Sequence, residues 1–218
     1  MSFRPRELST AFGLPQALHA TGFRFSSTAT ANNSLTHLPY QLTYDRLTES
    51  EVDVFEFPVT IEDEELPKLG DRLPQALELA RKLSRYGGSM VVLIHPNVLD
   101  HKLAFEKGFV EGVRPSAWFG SVGGFGRWWA ARDQVQLDVV RESTELRVTL
   151  TAPSPVSGLT LEVPNGWELA RSGSSVQGVE QQGTIVTVPE LQGTHTVRLT
   201  PRAMIPAGRR ASLAGRRT

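Results

Sequence analysis

The stretch Ser89-Met90-Val91-Val92-Leu93-Ile94-His95-Pro96-Asn97 sets the tightest constraint on the fold, because an unbroken apolar run leads straight into a histidine, a proline and an asparagine. Entered after Gly87-Gly88 and left at Pro96, it predicts a strand covered on both faces, as in a parallel sheet flanked by helices. Sheets of that kind keep their sites beyond the carboxyl ends of the strands. Pro96 disfavours helical backbone at His95, which places the imidazole on extended chain at the strand mouth. The plainer reading is a strand-end histidine that only satisfies a neighbouring carbonyl, and a single histidine by itself favours that reading.

Size and charge bound the rest. A chain of 218 residues holds one large domain or two modest ones with a real core. The formal charge is zero, so no net field draws the molecule to nucleic acid or to anionic lipid, and neither is expected as a partner. Cysteine is absent, which excludes disulfides and thiolate metal sites but leaves the compartment open. No membrane span is expected. Met1 to Arg6 lacks the apolar core of a signal peptide, so the chain as written carries no export address.

In chain order, a short helix is predicted over Phe12 to Ala20 with Ser9 or Thr10 as cap, then a strand over Phe23 to Thr28 and a polar loop from Thr30 to Pro39. Val52 to Phe57 reads as a strand stopped by Pro58. The four carboxylates Glu62 to Glu65 read as a solvated approach to a helix, because their side chains cannot all converge on one ion. A helix over Asp71 to Tyr86 presents Leu73, Leu77, Ala80 and Leu83 to one side, with Gly87 as its exit. A second covers Leu99 to Val113, with Leu103, Val110 and Val113 on one face and Phe105 and Phe109 beside it. Ala117 to Phe119 is predicted as a short strand, and Ser121 as the cap of a last helix to Arg132. Its glycines Gly123, Gly124 and Gly126 each weaken it by roughly 1 kcal/mol relative to alanine, so aromatic packing must hold it. The spacing of Gly120 to Gly126 matches neither the dinucleotide fingerprint nor a P-loop.

Near Gln134 the pattern changes to short alternating runs. Val135–Val139, Glu145–Leu150, Leu159–Val163, Thr184–Val188 and His195–Leu199 predict five strands of a small antiparallel β-sandwich, with Trp167 plugging its core. The predicted organisation is an α/β domain over 1–132, the sandwich over 133–200, and a basic tail over 201–218. Arg202, Arg209, Arg210, Arg216 and Arg217 have no acid among them, a composition that predicts disorder.

Taken as a set, Phe3-Arg4-Pro5, Gly22 to Ser27, Phe55-Glu56-Phe57-Pro58, Leu93 to Asn97, and Trp118-Phe119-Gly120 with Trp128-Trp129 resemble the second half of a polysaccharide deacetylase catalytic domain, the NodB-homology family. The resemblance covers about three fifths of the chain and rests on motif order, since no single motif is specific. It implies the second half of an incomplete (β/α) barrel, followed by the appended β domain. It also implies metal-dependent removal of acetyl groups from a sugar polymer. By that resemblance His95 acts as general acid toward the leaving amine, Leu93 lines the acetyl pocket, and Arg4 orients the catalytic carboxylate. The family's Arg-x-Pro-aromatic run reads here Arg4-Pro5-Arg6-Glu7, without the aromatic. Glu56 and Asp63 stand where a late acidic group would come from, and neither receives a role.

The family's complete domain uses a divalent, zinc-like ion. Its ligands stand upstream of the position that Arg4 matches. The five histidines, His19, His37, His95, His101 and His195, include no pair at helical spacing, so this chain supplies no metal site. Hence the chain alone is expected to be inactive, with the missing first half of the domain provided upstream in the same chain or by another. The expected partner is an acetylated polysaccharide, and the resemblance alone favours the cell envelope or secretion. The alternative is a noncatalytic carbohydrate-binding protein of the envelope, and a third is a structural fragment without ligand.

Overall fold

The structure, a computed structural model, describes residues 1–4, 8, 12–43, 51–97 and 100–202. The expected caps Ser9 and Thr10, the run Pro5 to Glu7 and the tail beyond Arg202 lie outside the described residues. The chain divides into two units, Met1–Ala130 and Ala131–Thr218.

In the first unit the chain forms β1 (Ser2–Phe3), α1 (Leu14–Ala20), β2 (Phe25–Ser26), α2 (Ala31–Ser34), β3 (Tyr40–Thr43), β4 (Glu51–Glu56), β5 (Val59–Glu62), α3 (Leu73–Tyr86), β6 (Val91–Leu93), α4 (Asp100–Val113) and α5 (Val122–Asp133). One sheet has the order β1-β2-β4-β3, its first three strands parallel and β3 antiparallel. β5 and β6 form a separate parallel pair. Among the described residues no sheet closes into a barrel.

The deeply covered stretch of this unit is not the apolar run. Val54 to Val59, from β4 into β5, are all buried, whereas Val91 to Ile94 are only half-buried. Both faces of β6 do meet hydrocarbon: Met90, Val92 and Ile94 pack against the cluster that holds Phe105 and Phe109, and Val91 against the one that holds Phe25, Phe55 and Phe57. Its partial exposure follows from its position, since among the described residues it pairs only with β5.

Local chemistry accounts for two elements not predicted as such. The polar stretch after Thr30 is a short helix, because the Thr30 hydroxyl accepts the Asn33 amide at 3.3 Å and Leu35 ends the turn in left-handed backbone. Beyond it, Tyr40–Thr43 adds an edge strand to β4. The predicted strand Ala117–Phe119 is instead irregular and exposed.

Helices α3 and α4 approach closely because two glycines four residues apart receive two leucines four apart. A Cβ on Gly108 would stand 2.7 Å from Leu73 Cδ2, and one on Gly112 would stand 2.5 Å from Leu77 Cδ2. The buried face of α4 is Lys102, Phe105, Phe109 and Val113, with Phe105 and Phe109 stacked at 5.5 Å. Leu103, predicted on that face, is exposed. On α5, Gly126 lets the backbone reach the Phe25 ring, which a Cβ would meet at 2.4 Å, and Ser121 caps the helix through the Gly124 amide at 3.1 Å.

The second unit comprises β7 (Gln136–Glu142), β8 (Glu145–Glu162), β9 (Trp167–Leu169), β10 (Glu180–Gln182) and β11 (Ile185–Pro201). All belong to one antiparallel sheet of order β10-β11-β8-β7, with β9 on β11. Four of the five runs read as separate short strands are therefore two long ones, β8 and β11, and the first is β7. Gln192-Gly193-Thr194, which reads as a turn between two of the runs, lies inside β11. The pairing slips between Leu191 and Gly193, opposite Pro153-Ser154-Pro155, where two prolines have no amide to give the ladder. Around Gly158 and Pro189 the pairing stays in register, but the buried side chains change parity on both strands, from Val156 to Leu159 and from Val188 to Leu191. Trp167, predicted as a core plug, is only half-buried. No described helix is long and apolar enough to cross a membrane.

Candidate functional site

The register of β5 on β6 brings the site together. Glu62 pairs with Leu93, so the residues that follow, Asp63 on one strand and Ile94-His95 on the other, emerge at the same carboxyl end. His95 Nδ1 lies 2.8 Å from Asp63 Oδ1, and the His95 backbone amide donates to Asp63 Oδ2 at 3.0 Å. One carboxylate thus holds both the ring and the backbone of the histidine. The Asp63 side chain is fully inaccessible, while that of His95 remains 35% exposed. Asp63 is the one member of the Glu62–Glu65 run that the expected solvated stretch describes wrongly. Glu64 and Glu65 do face solvent.

Lys102, from the first turn of α4, reaches the same place. Its ammonium pairs with Asp63 Oδ2 and donates to Asn97 Oδ1 at 2.7 Å and to the His95 carbonyl at 3.2 Å. Burial pushes the Asp63 carboxyl upward, but the hydrogen bonds from Lys102 and His95 and the Lys102 charge outweigh it and hold the group at about 2. An ionised carboxylate only accepts, so His95 Nδ1 must be the protonated nitrogen and Nε2 the one free to take or give a proton. Glu62, beside this cluster, is pushed the other way by burial and by the charges of Glu65, Glu64 and Asp63.

Arg4 belongs to a second polar group. Its guanidinium donates to Ser27 Oγ at 2.9 Å, and that hydroxyl donates to the Phe57 carbonyl at 2.7 Å. Glu56, wholly buried at the end of β4, accepts the Thr28 and Ala29 amides and the Thr28 hydroxyl. Burial lowers the Arg4 pKa, and the Glu56 charge opposes this. Glu56 is thus the described carboxylate whose field Arg4 feels, although no ion pair joins the two. No described hydrogen bond or ion pair links this group to His95. Leu93 sits half-buried at the end of β6, paired with Glu62.

A zinc-like ion finds no place among these residues. No described group of three histidine or acidic side chains could hold one, and the oxygens of Asp63 and Glu56 are already engaged by protein donors.

Sequence reasoning named Asp63 without giving it a role and did not place Lys102 or Asn97 in the site. The signal for Lys102 was present: it falls in step with Phe105, Phe109 and Val113 on the helix period, so it had to be buried if they were. Comparison with known proteins adds no neighbour, since no family model, no curated protein and no solved structure matches the chain.

Proposed function

We propose that this chain carries the general-acid part of a polysaccharide deacetylase and that its substrate is an acetylated sugar polymer. The observation that carries the reading is the double hold of Asp63 on His95, which leaves Nε2 as the proton-exchanging atom at the mouth of two parallel strands. In amide hydrolysis, water oxygen adds to the acetyl carbon and gives up its proton to a base in the other half of the domain; the carbon–nitrogen bond breaks as the departing nitrogen takes a proton from Nε2 of the imidazolium form of His95, giving acetate, a free amine and the neutral Nδ1–H ring. Leu93 would line the acetyl pocket, and Arg4, beside the other sheet, would orient the catalytic carboxylate. The residues that activate the water would belong to the other half of an incomplete (β/α) barrel, in the same or another chain.

The test uses the complete domain. His95→Ala should abolish turnover on acetylated oligosaccharides while leaving their binding intact, and unchanged turnover rejects the role. A second reading, noncatalytic glycan binding, draws on Trp118 and Phe119, which are 67% and 46% exposed and suited to stacking on sugar rings. It expects glycan affinity in the 218-residue chain that is indifferent to chelators.

A further inference from the structure

We infer that Lys102 is a positioning residue for His95, its buried ammonium clamping Asp63, the His95 carbonyl and Asn97 so that the ring is held as Nδ1–H with Nε2 free. This deepens the acid role proposed above and rests on it for its functional meaning, although the clamp itself is a matter of geometry.

A lysine is seldom buried unless every proton of its ammonium is answered. The Lys102 side chain is 8% exposed, and its three donors meet three acceptors. A purely structural ion pair needs only the first of these, Asp63. The other two belong to the catalytic candidate itself and to the turn two residues beyond it, so the ammonium ties α4, the end of β5 and the end of β6 at one point. Its choice of oxygen matters as well. Asp63 Oδ2 is filled by Lys102 and the His95 amide, which leaves Oδ1 for Nδ1. The other charged groups near the ring are Glu64, whose carboxylate stands 3.8 Å from Nδ1 and is 67% exposed, and Glu62. Neither can replace a buried cation. Without Lys102, the carboxylate loses the partner that fixes Oδ2 and is free to rotate, so Oδ1 no longer holds Nδ1–H and the ring can adopt either tautomer. Lys102 would therefore act on the chemistry through Asp63, without touching substrate.

Nitrogen-15 imidazole spectra of the 218-residue protein test this at a pH where His95 is neutral. The unmodified chain should show one dominant tautomer, Nδ1–H. In Lys102→Met and Lys102→Gln the two ring-nitrogen resonances should move toward each other as the tautomers mix, and the Asp63 carboxyl midpoint should rise from about 2 toward 3.8. An Nε2–H tautomer in the unmodified protein, or an unchanged tautomer in either folded variant, overturns the inference. If neither variant folds, Asn97→Ala, which releases one arm of the ammonium and removes no charge, is read the same way, and no movement of either signal there also overturns it. The two readings separate cleanly. A complete domain that fails to deacetylate with the tautomer locked as described sinks the acid role and leaves the clamp standing.

Discussion

Asp63 and His95, 32 residues apart in the chain, are joined twice, ring to Oδ1 and backbone amide to Oδ2. Each contact constrains what the other leaves open. The backbone bond fixes where His95 leaves β6, and the ring bond then fixes which way the imidazole turns and which nitrogen carries the proton. Lys102 completes the arrangement by keeping the shared carboxylate ionised in a place without solvent. The following outcomes test it.

Asp63→Asn preserves shape but lets the side chain donate, so His95 can adopt the opposite tautomer. In a complete domain with deacetylase activity, kcat should fall by roughly 10²–10⁴-fold with KM little changed, as expected when an orienting carboxylate or general acid is impaired. Steady-state kinetics on an acetylated oligosaccharide measures this, and a kcat within a factor of two of the parent removes Asp63 from the mechanism.

Acid stability carries the same residue's signature. Because folding lowers the Asp63 pKa from 3.8 to about 2, its stabilising contribution is fully present above the unfolded value and is lost as pH falls through the folded one. That contribution is about 2 kcal/mol. Denaturant titrations between pH 5 and pH 2 should show the loss in the parent and a flatter profile in Asp63→Asn.

Glu62 has the opposite sign. Its pKa is raised, so ionising it costs stability that appears as pH climbs through its folded midpoint. Glu62→Gln should therefore raise the melting temperature at pH 7 and make little difference at pH 3. A lower melting temperature at pH 7 would show that the repulsion from Glu65, Glu64 and Asp63 is not what governs this position.

Gly126→Ala sets helix propensity against packing. Propensity alone predicts a gain of about 1 kcal/mol, but the new methyl would meet the Phe25 ring at 2.4 Å. Overpacking of that kind costs about 1–3 kcal/mol, so a net loss is expected in equilibrium unfolding. A more stable variant would mean that α5 is free to move off the sheet.

Glu56→Ala should cost about 3 kcal/mol, since it strands the Thr28 and Ala29 amides and leaves Arg4 without its nearby negative charge. Chemical denaturation measures it, and a loss below about 0.5 kcal/mol would make the group dispensable to the fold.

Much of this molecule was legible from local pattern. Leu73, Leu77 and Ala80 marked the packed side of α3, Gly87 its exit, Ser121 the start of α5, and the run into His95 a strand ending in a polar mouth. These are properties of neighbours along the chain: periodicity, capping and the backbone limits of glycine and proline act over a few residues, so the residues themselves carry the information. The same locality misled where turn residues were absorbed into long strands. Pro153, Pro155 and Gly158 look like breaks until a partner strand supplies the pairing on either side of them.

What only the tertiary structure decided is the standing of Asp63. Within Glu62–Glu65 it reads as one acid in a solvated run, and motif order could mark its place but not give it a role. Its burial, its low pKa and its grip on His95 all come from β6 and from Lys102 on α4, which arrive from far along the chain. A side chain's charge state depends on desolvation and on the charges packed around it, and those are set by folding rather than by sequence neighbours.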